Sequence, residues 1–176
     1  ENLLRSWLRC RRKAWLDIYG DKQNKLWTAH STLQLNHQND CFNHLSQKSY
    51  GIGIQACEEG KNIVYGIRHK FPLIKHRVIK GNLPILKKTS GESIWGNFSY
   101  QPVLARQGKK ITREHRLILS MTGLLISNLQ KYQAQKGLIL HKENETIKIE
   151  KIRLTDSINT ELVESLLNLE RDIESK

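Results

Sequence analysis

No apolar run in the sequence approaches the roughly 18 residues that would suggest a membrane span. The first segment is charged and amphipathic, unlike a secretory signal. Both features point to a cytoplasmic location and to no membrane partner. Cysteine is scarce: Cys10, Cys41 and Cys57 are odd in number and lack paired spacing, which argues against a disulfide framework and suits a reducing compartment. The first residue is Glu1 and not Met, which leaves room for a longer natural protein. No Walker loop, dinucleotide glycine fingerprint or nucleophile elbow is present, and Gly51-Ile52-Gly53 is too short to count as one. The histidines at 30, 37, 44, 69, 76, 115 and 141 never fall at the i, i+4 spacing of a helical zinc site. Acid is nearly missing from the middle, where Glu92 is the one carboxylate between Lys61 and Thr112.

What fills that middle is positive charge. Lys61, Arg68, Lys70, Lys75, Arg77, Lys80, Lys87, Lys88, Arg106, Lys109 and Lys110 account for much of the net +12. The last segment reverses the balance with Asp156, Glu161, Glu164, Glu170, Asp172 and Glu174. Such asymmetry suits a polyanion-facing centre and an acidic, solvated or partner-facing end, although lysine-rich surfaces also serve solubility alone.

At 176 residues the chain suits a single domain over 1–176 with one sizeable core. Residues 1–60 read as a helical N-terminal part. Leu4, Trp7, Leu8, Ala14, Trp15 and Ile18 recur at helical spacing before Gly20, a weaker helical pattern runs through Leu33, Phe42 and Leu45, and a short helix ends at Gly60. Residues 61–152 turn to strands: NIVYGIRH, FPLIKHRVI and LPILKK are β-rich runs, and YQPVLA follows. A helix is expected over 112–135, capped by Thr112, stopped by Gly137, with Leu117, Met121, Leu124, Leu125, Leu129 and Tyr132 as its buried stripe. GLILHKE and TIKIEKI suit a hairpin around Glu143-Asn144-Glu145. A last helix over 155–175 buries Ile158, Leu162, Leu166, Leu169 and Ile173. The order implies an α/β (α+β-like) fold, a mixed central sheet flanked by helices.

Two strings carry a resemblance. LRCRRKAWLDIYGD, a Cys before an Arg-rich helix with an aromatic and Leu-Asp, and GNFSYQPVLARQGKKITREHRLILSMTGLL, a strand entered by Tyr-x-Pro-Val and left by a Gly-Lys turn into a helix, resemble the RecB-like branch of the PD-(D/E)XK nuclease superfamily, its cyanobacterial members in particular. The similarity runs in order over nearly the whole chain. It implies a restriction-endonuclease-like domain. Active members hold Mg or Mn between two carboxylates on adjacent strands, with a lysine two residues beyond the second acid on the same strand face.

Carried onto this chain, the first acid falls at Pro84, with Asn82 in place of a histidine, the second acid at Leu104, the lysine at Arg106 and a helix glutamine at Arg116. None of the four matches, so no catalytic residue and no metal or other cofactor is expected at the usual place. Nucleic acid remains the expected partner. Lys80, Lys87, Lys88, Arg106, Lys109, Lys110, Arg113 and Arg116 are the candidate phosphate contacts, several of them near a helix N-terminus that itself attracts anions. Arg116 and Arg106 could equally reach solvent or pair with acids such as Glu114. Relatives join an N-terminal Cys to three C-terminal ones around an iron–sulfur cluster. Cys10 lacks such partners here, so it is expected as a free thiol, and as a cluster ligand only if a Cys-rich tail exists. Two alternatives stay open: an assembly module meeting a protein through the acidic C-terminal helix, and a working nuclease with acids relocated to Glu58 or Glu59.

Overall fold

Two stretches rich in β-branched and aromatic residues, Ile63–Ile74 and Arg77–Thr89, form two long strands where three short runs are expected from the sequence. They are the spine of a computed structural model that describes residues 2–21, 29–45, 49–74, 77–106, 108, 110–143 and 146–175. In chain order the elements are α1 Asn2–Arg9, α2 Arg11–Tyr19, α3 Ala29–Leu45, β1 Tyr50–Ile52, α4 Gly53–Glu58, β2 Ile63–Ile74, β3 Arg77–Thr89, β4 Ser99–Ala105, α5 Arg113–Gln130, β5 Lys136–Glu143, β6 Thr146–Arg153 and α6 Asp156–Glu174. The six strands form one sheet in sequence order. β1 with β2 and β4 with β5 are parallel pairs, and the other neighbours are antiparallel. This is the mixed α/β sheet flanked by helices that the sequence implies.

Each face of the sheet buries its own core. On one side Val64, Ile67, Leu83, Leu86, Tyr100, Leu104 and Ile139 pack with α5, α6 and Leu4 of α1. On the other, Ile63, Ile85, Val103, Ala105, Leu138 and Leu140 pack with Cys41, Phe42 and Leu45 of α3. Helix α5 carries the expected stripe at Leu117, Met121 and Leu125, but Ile118, Leu119 and Ile126 on its other sides are buried as well. A helix apolar on so much of its circumference belongs in the middle of a layer, which is where this one lies.

The helix can lie so close because glycines face it. A Cβ on Gly81 of β3 would stand 2.7 Å from Leu125 Cδ1, and one on Gly137 of β5 would meet three Leu119 side-chain carbons at 2.8 Å. Gly137 therefore does not stop α5 as expected. The helix ends at Gln130, with Lys131 in the left-handed conformation (φ 54°), and Gly137 sits inside β5. Gln130 secures that end: its Oε1 accepts from Tyr100 N at 2.8 Å, and its Nε2 donates to Tyr132 O at 2.9 Å.

Two further departures have local causes. The N-terminal helix breaks at Cys10, whose backbone is extended (φ −161°, ψ 116°), so α2 turns away from the line of α1. Leu4 and Ala14 are buried as expected, but Trp15 and Ile18 are exposed. Residues 50–52 form a strand before α4, pairing with β2. By contrast the β5–β6 hairpin and α6 lie where the sequence puts them, and Leu162 and Leu169 of α6 are buried. Replacing Gly137 by Val should lower unfolding free energy by about 1–3 kcal/mol through overpacking against Leu119, read as a drop in the urea midpoint at unchanged slope.

Candidate nucleic-acid interface

Alternation along β2 and β3 is interrupted at one level, and that level shapes the site. Val64 and Ile67 on β2, and Leu86 and Leu83 on β3, all face α5 although they are three residues apart. The ladder pairs Tyr65 with Ile85 and Ile67 with Leu83 and skips Gly66 and Pro84 between them. Gly66 takes φ 75°, which favours glycine, and Pro84 has no N–H to give a ladder. Beyond this step β2 and β3 continue as a two-stranded ribbon.

The step puts Pro84 beside Leu104. Together they line a cavity of about 340 Å3 between α3 and the sheet, walled also by Phe42, Tyr65, Ile85 and Val103. A second cavity of about 430 Å3 shares Gln38, Tyr65 and Pro84 with it and adds Arg68 and Asn82. The two positions at which the resemblance places carboxylates are thus neighbours in space, and no described residue in the wall of either cavity is acidic. A divalent ion of the magnesium class needs oxygen ligands, carboxylates above all, and these residues do not fit one. Among the described residues no group of three or more His, Cys, Asp or Glu could hold a metal ion. Glu59 pairs with Lys61 at 3.3 Å, and neither it nor Glu58 belongs to such a group.

Arg106 does not reach solvent. Its backbone N–H extends the β4–β5 ladder to Leu140 O at 2.8 Å, and its side chain is fully buried. Nη2 donates to Glu150 Oε1 on β6 at 2.8 Å and approaches His141 Nδ1 at 3.3 Å, while Nη1 donates to Gly108 O. A guanidinium withdrawn from water needs such partners, and here they belong to the fold. Arg106 is therefore corrected from a phosphate contact to a buried tie between β4, β5 and β6.

The other expected contacts are divided among separate places. Lys88 donates to Gly60 O at 3.1 Å and lies 4.1 Å from the centre of the Phe98 ring, so it fastens the end of β3. Arg113 donates to Glu161 of α6 and, at 3.2 Å, to Ser165 Oγ. Lys87 is half-buried, Lys110 and Arg116 are exposed, and Lys109 lies outside the described residues. Lys80 is exposed on the ribbon, seven residues from Lys87 along β3, or roughly 23 Å at about 3.3 Å per residue. The described ones do not make one patch.

The ribbon supplies what the expected set lacks. Inward, Ile67, Ile79 and Leu83 pack on the core, and His69 meets Asn128 of α5 at 2.8 Å. Outward and exposed are Arg68, Lys70, Lys80 and Asn82, with Lys70 directly opposite Lys80 and Arg68 opposite Asn82 in the ladder. Arg68, Lys70 and Lys80 make no ion pair among the described residues. The period-two spacing of Arg68 and Lys70 is the available signal in the sequence, hidden because two long strands look there like three short ones.

At the start of α5 the electrostatics are internal. Glu114 accepts from Arg5 Nη1 at 2.8 Å and from Arg9 Nε at 2.7 Å, clamping α1 to the helix start. Burial pushes the Glu114 carboxyl up, but Arg9 and Arg5 outweigh it and hold it below the ordinary value. His115 closes the expected cap: its Nδ1 accepts from Thr112 N at 3.1 Å, and its own N–H donates to Thr112 Oγ1 at 3.5 Å. Burial, with the nearby charges of Arg5, Arg106 and Arg9, lowers the His115 pKa against the opposing pull of Glu114. Acids of α6 are likewise engaged, Asp172 accepting from Trp7 Nε1 at 2.8 Å. Among the thiols Cys10 is exposed, whereas burial, with Asp40 and Glu58 adding to it, pushes Cys41 to about 11 and Cys57 to about 12.

The fold is shared with a known structure. No family model matches the chain, and no curated protein matches it. A solved structure described as "Crystal structure of SSO0001" superposes with a TM-score of 0.65 at 13% sequence identity, covering 98% of this chain and 76% of that one. At that identity the likeness speaks to the fold alone: a single mixed α/β domain.

Replacing Glu150 by Gln should cost about 1–3 kcal/mol in a denaturant melt, since it removes a carboxylate from a buried guanidinium. The double change Arg106→Leu with Glu150→Leu should recover much of that loss. A second melt series tests His115. Its folded pKa lies below its ordinary 6.5, so the unfolded chain binds more protons in the window between the two values. The stability it contributes is complete above 6.5 and is lost as pH falls toward the folded value. His115→Gln, which keeps an acceptor for the cap, should flatten the dependence of melting temperature on pH in that window.

Proposed function

We propose that this chain is a RecB-like nuclease-fold domain that has exchanged its metal-binding acids for an apolar wall and binds nucleic acid through backbone phosphates. The observation that carries the reading is the outer face of the β2–β3 ribbon. Like charges directly opposite each other in a ladder repel, and Lys70 faces Lys80 with Arg68 one step along. A phosphate placed between them turns that repulsion into two charge-assisted contacts. A two-stranded ribbon is also narrow enough to lie in a nucleic-acid groove. The adjoining cavities give the ribbon a floor, at the place where relatives of this fold would present the scissile phosphate. Binding of this kind is insensitive to sequence and steep in salt.

A second reading is favoured by one observation. Trp15, Leu16, Ile18 and Tyr19 of α2 are exposed, and Ile18 borders an apolar groove of about 370 Å3 floored by Leu4, Ile79 and Met121 and closed by α6. Such a surface suits a protein partner, and the fold would then serve assembly.

Fluorescence anisotropy with labelled oligonucleotides across a salt series separates the two. On the first reading the logarithm of the binding constant falls linearly with log salt. The magnitude of that slope should decrease by about 0.7–0.9 for each phosphate that the combined Arg68→Glu, Lys70→Glu and Lys80→Glu variant no longer neutralises. Arg106→Gln should leave the slope unchanged, and adding magnesium or manganese should produce no cleavage. Weak binding with a flat salt response would overturn the reading and leave the assembly surface as the better one.

A further inference from the structure

We infer that the cavity between Pro84 and Leu104 is a pocket for a single unstacked nucleobase, which makes a single strand the preferred ligand. The inference rests on the phosphate-binding reading above and adds to it what the strand does between phosphates.

The chemistry of the wall excludes the obvious alternatives. Val103, Ala105 and Ile85, which face α3, are almost fully buried and give the cavity an apolar floor, so neither a phosphate nor a hydrated cation gains anything by entering. An aromatic or heteroaromatic ring does gain. Two rings stand in its wall, Phe42 and Tyr65, with centroids 4.6 Å apart at 68°, and beside them the exposed Tyr50 lies 5.7 Å from Phe42 and 6.2 Å from Tyr65. Every base has a π-face, so such rings serve as platforms without choosing a sequence. Gln38 and Asn39 of α3 bring amide donors and acceptors to the same wall, the groups that meet a base edge. A volume of about 340 Å3 falls in the ordinary range for small-ligand pockets.

Position supplies the remaining step. The neighbouring cavity shares Gln38, Tyr65 and Pro84 with this one and contains Arg68, so a base in the inner cavity puts its own phosphate near the first cation of the ribbon. Lys70 and Lys80 then follow along the same exposed face. The acid nearest in sequence, Asp40, points to Lys142 on β5, 3.9 Å away, and does not line either cavity. A base paired and stacked inside a duplex cannot reach a floor beneath a helix without first being unpaired, which costs energy that a single strand does not pay.

The test compares two strands of equal length and charge: oligothymidylate of twelve nucleotides and a twelve-unit abasic phosphodiester, titrated against the full chain at low salt, with a twelve-base-pair duplex as the third ligand. The inference expects oligothymidylate to bind at least about tenfold more tightly than the abasic strand, in line with one base on an aromatic platform. It also expects oligothymidylate to bind more tightly than the duplex. Ala105→Met, which fills the cavity from its floor without adding an aromatic ring, should bring oligothymidylate down to the abasic value and leave abasic binding unchanged. Equal binding of the two strands overturns the base pocket and leaves phosphate binding standing. A preference that survives Ala105→Met places the base elsewhere and also overturns it. Loss of all binding, abasic strand included, overturns the phosphate reading itself.

Discussion

Everything in this molecule is arranged around the close approach of α5 to the sheet. The helix buries residues on most of its circumference, and it reaches the strands through Gly81 and Gly137, where a side chain would collide with Leu125 or Leu119. Its end is tied to the start of β4 by Gln130 and its beginning to α1 by Glu114. Close packing of this kind leaves little freedom for the parallel pair β4 and β5 that α5 connects. The far ends of those two strands therefore sit at fixed positions, and the cavity wall inherits that rigidity.

Charge divides into two populations on this frame. Arg5, Arg9, Arg106 and Arg113 have carboxylate partners in Glu114, Glu150 and Glu161, and their function is to hold elements together. The ribbon cations have none among the described residues. A formal charge of +12 cannot distinguish the populations, because it counts a buried, paired guanidinium and an exposed ammonium alike. What separates them is dielectric environment: withdrawn from water a cation must be neutralised locally, whereas on the ribbon it remains available to a ligand.

Much of the fold is legible along the chain because it follows from local periodicity. The stripe Leu117, Met121 and Leu125, the cap at Thr112, the hairpin from β5 to β6 and the apolar face of α6 all follow from spacing alone. The misplaced features depend on contacts distant in sequence. Gly137 has the composition of a helix stop, yet its position is set by Leu119 across the layer. Gly66 and Pro84 have the look of strand boundaries, but facing each other they form a step inside a continuous hairpin. Arg106 could not be assigned from the string because its partners, His141 and Glu150, lie on two later strands. For the same reason the aromatic wall of the cavity, drawn from Phe42 of α3 and Tyr65 of β2, leaves no motif in the sequence.

The apolar wall and the buried arginine lie at one end of the sheet and obey one constraint. Val103, Leu104 and Ala105 bury apolar surface on the two faces of β4, which favours excluding water from that end. A cation one residue further along the strand, withdrawn from water and alone, would be costly. Glu150 and His141 offset that cost by closing around Arg106, which makes the position a crosslink among three strands. That end of the sheet is thereby tied together and dry, whereas Arg68, Lys70 and Lys80 keep their contact with water on the ribbon.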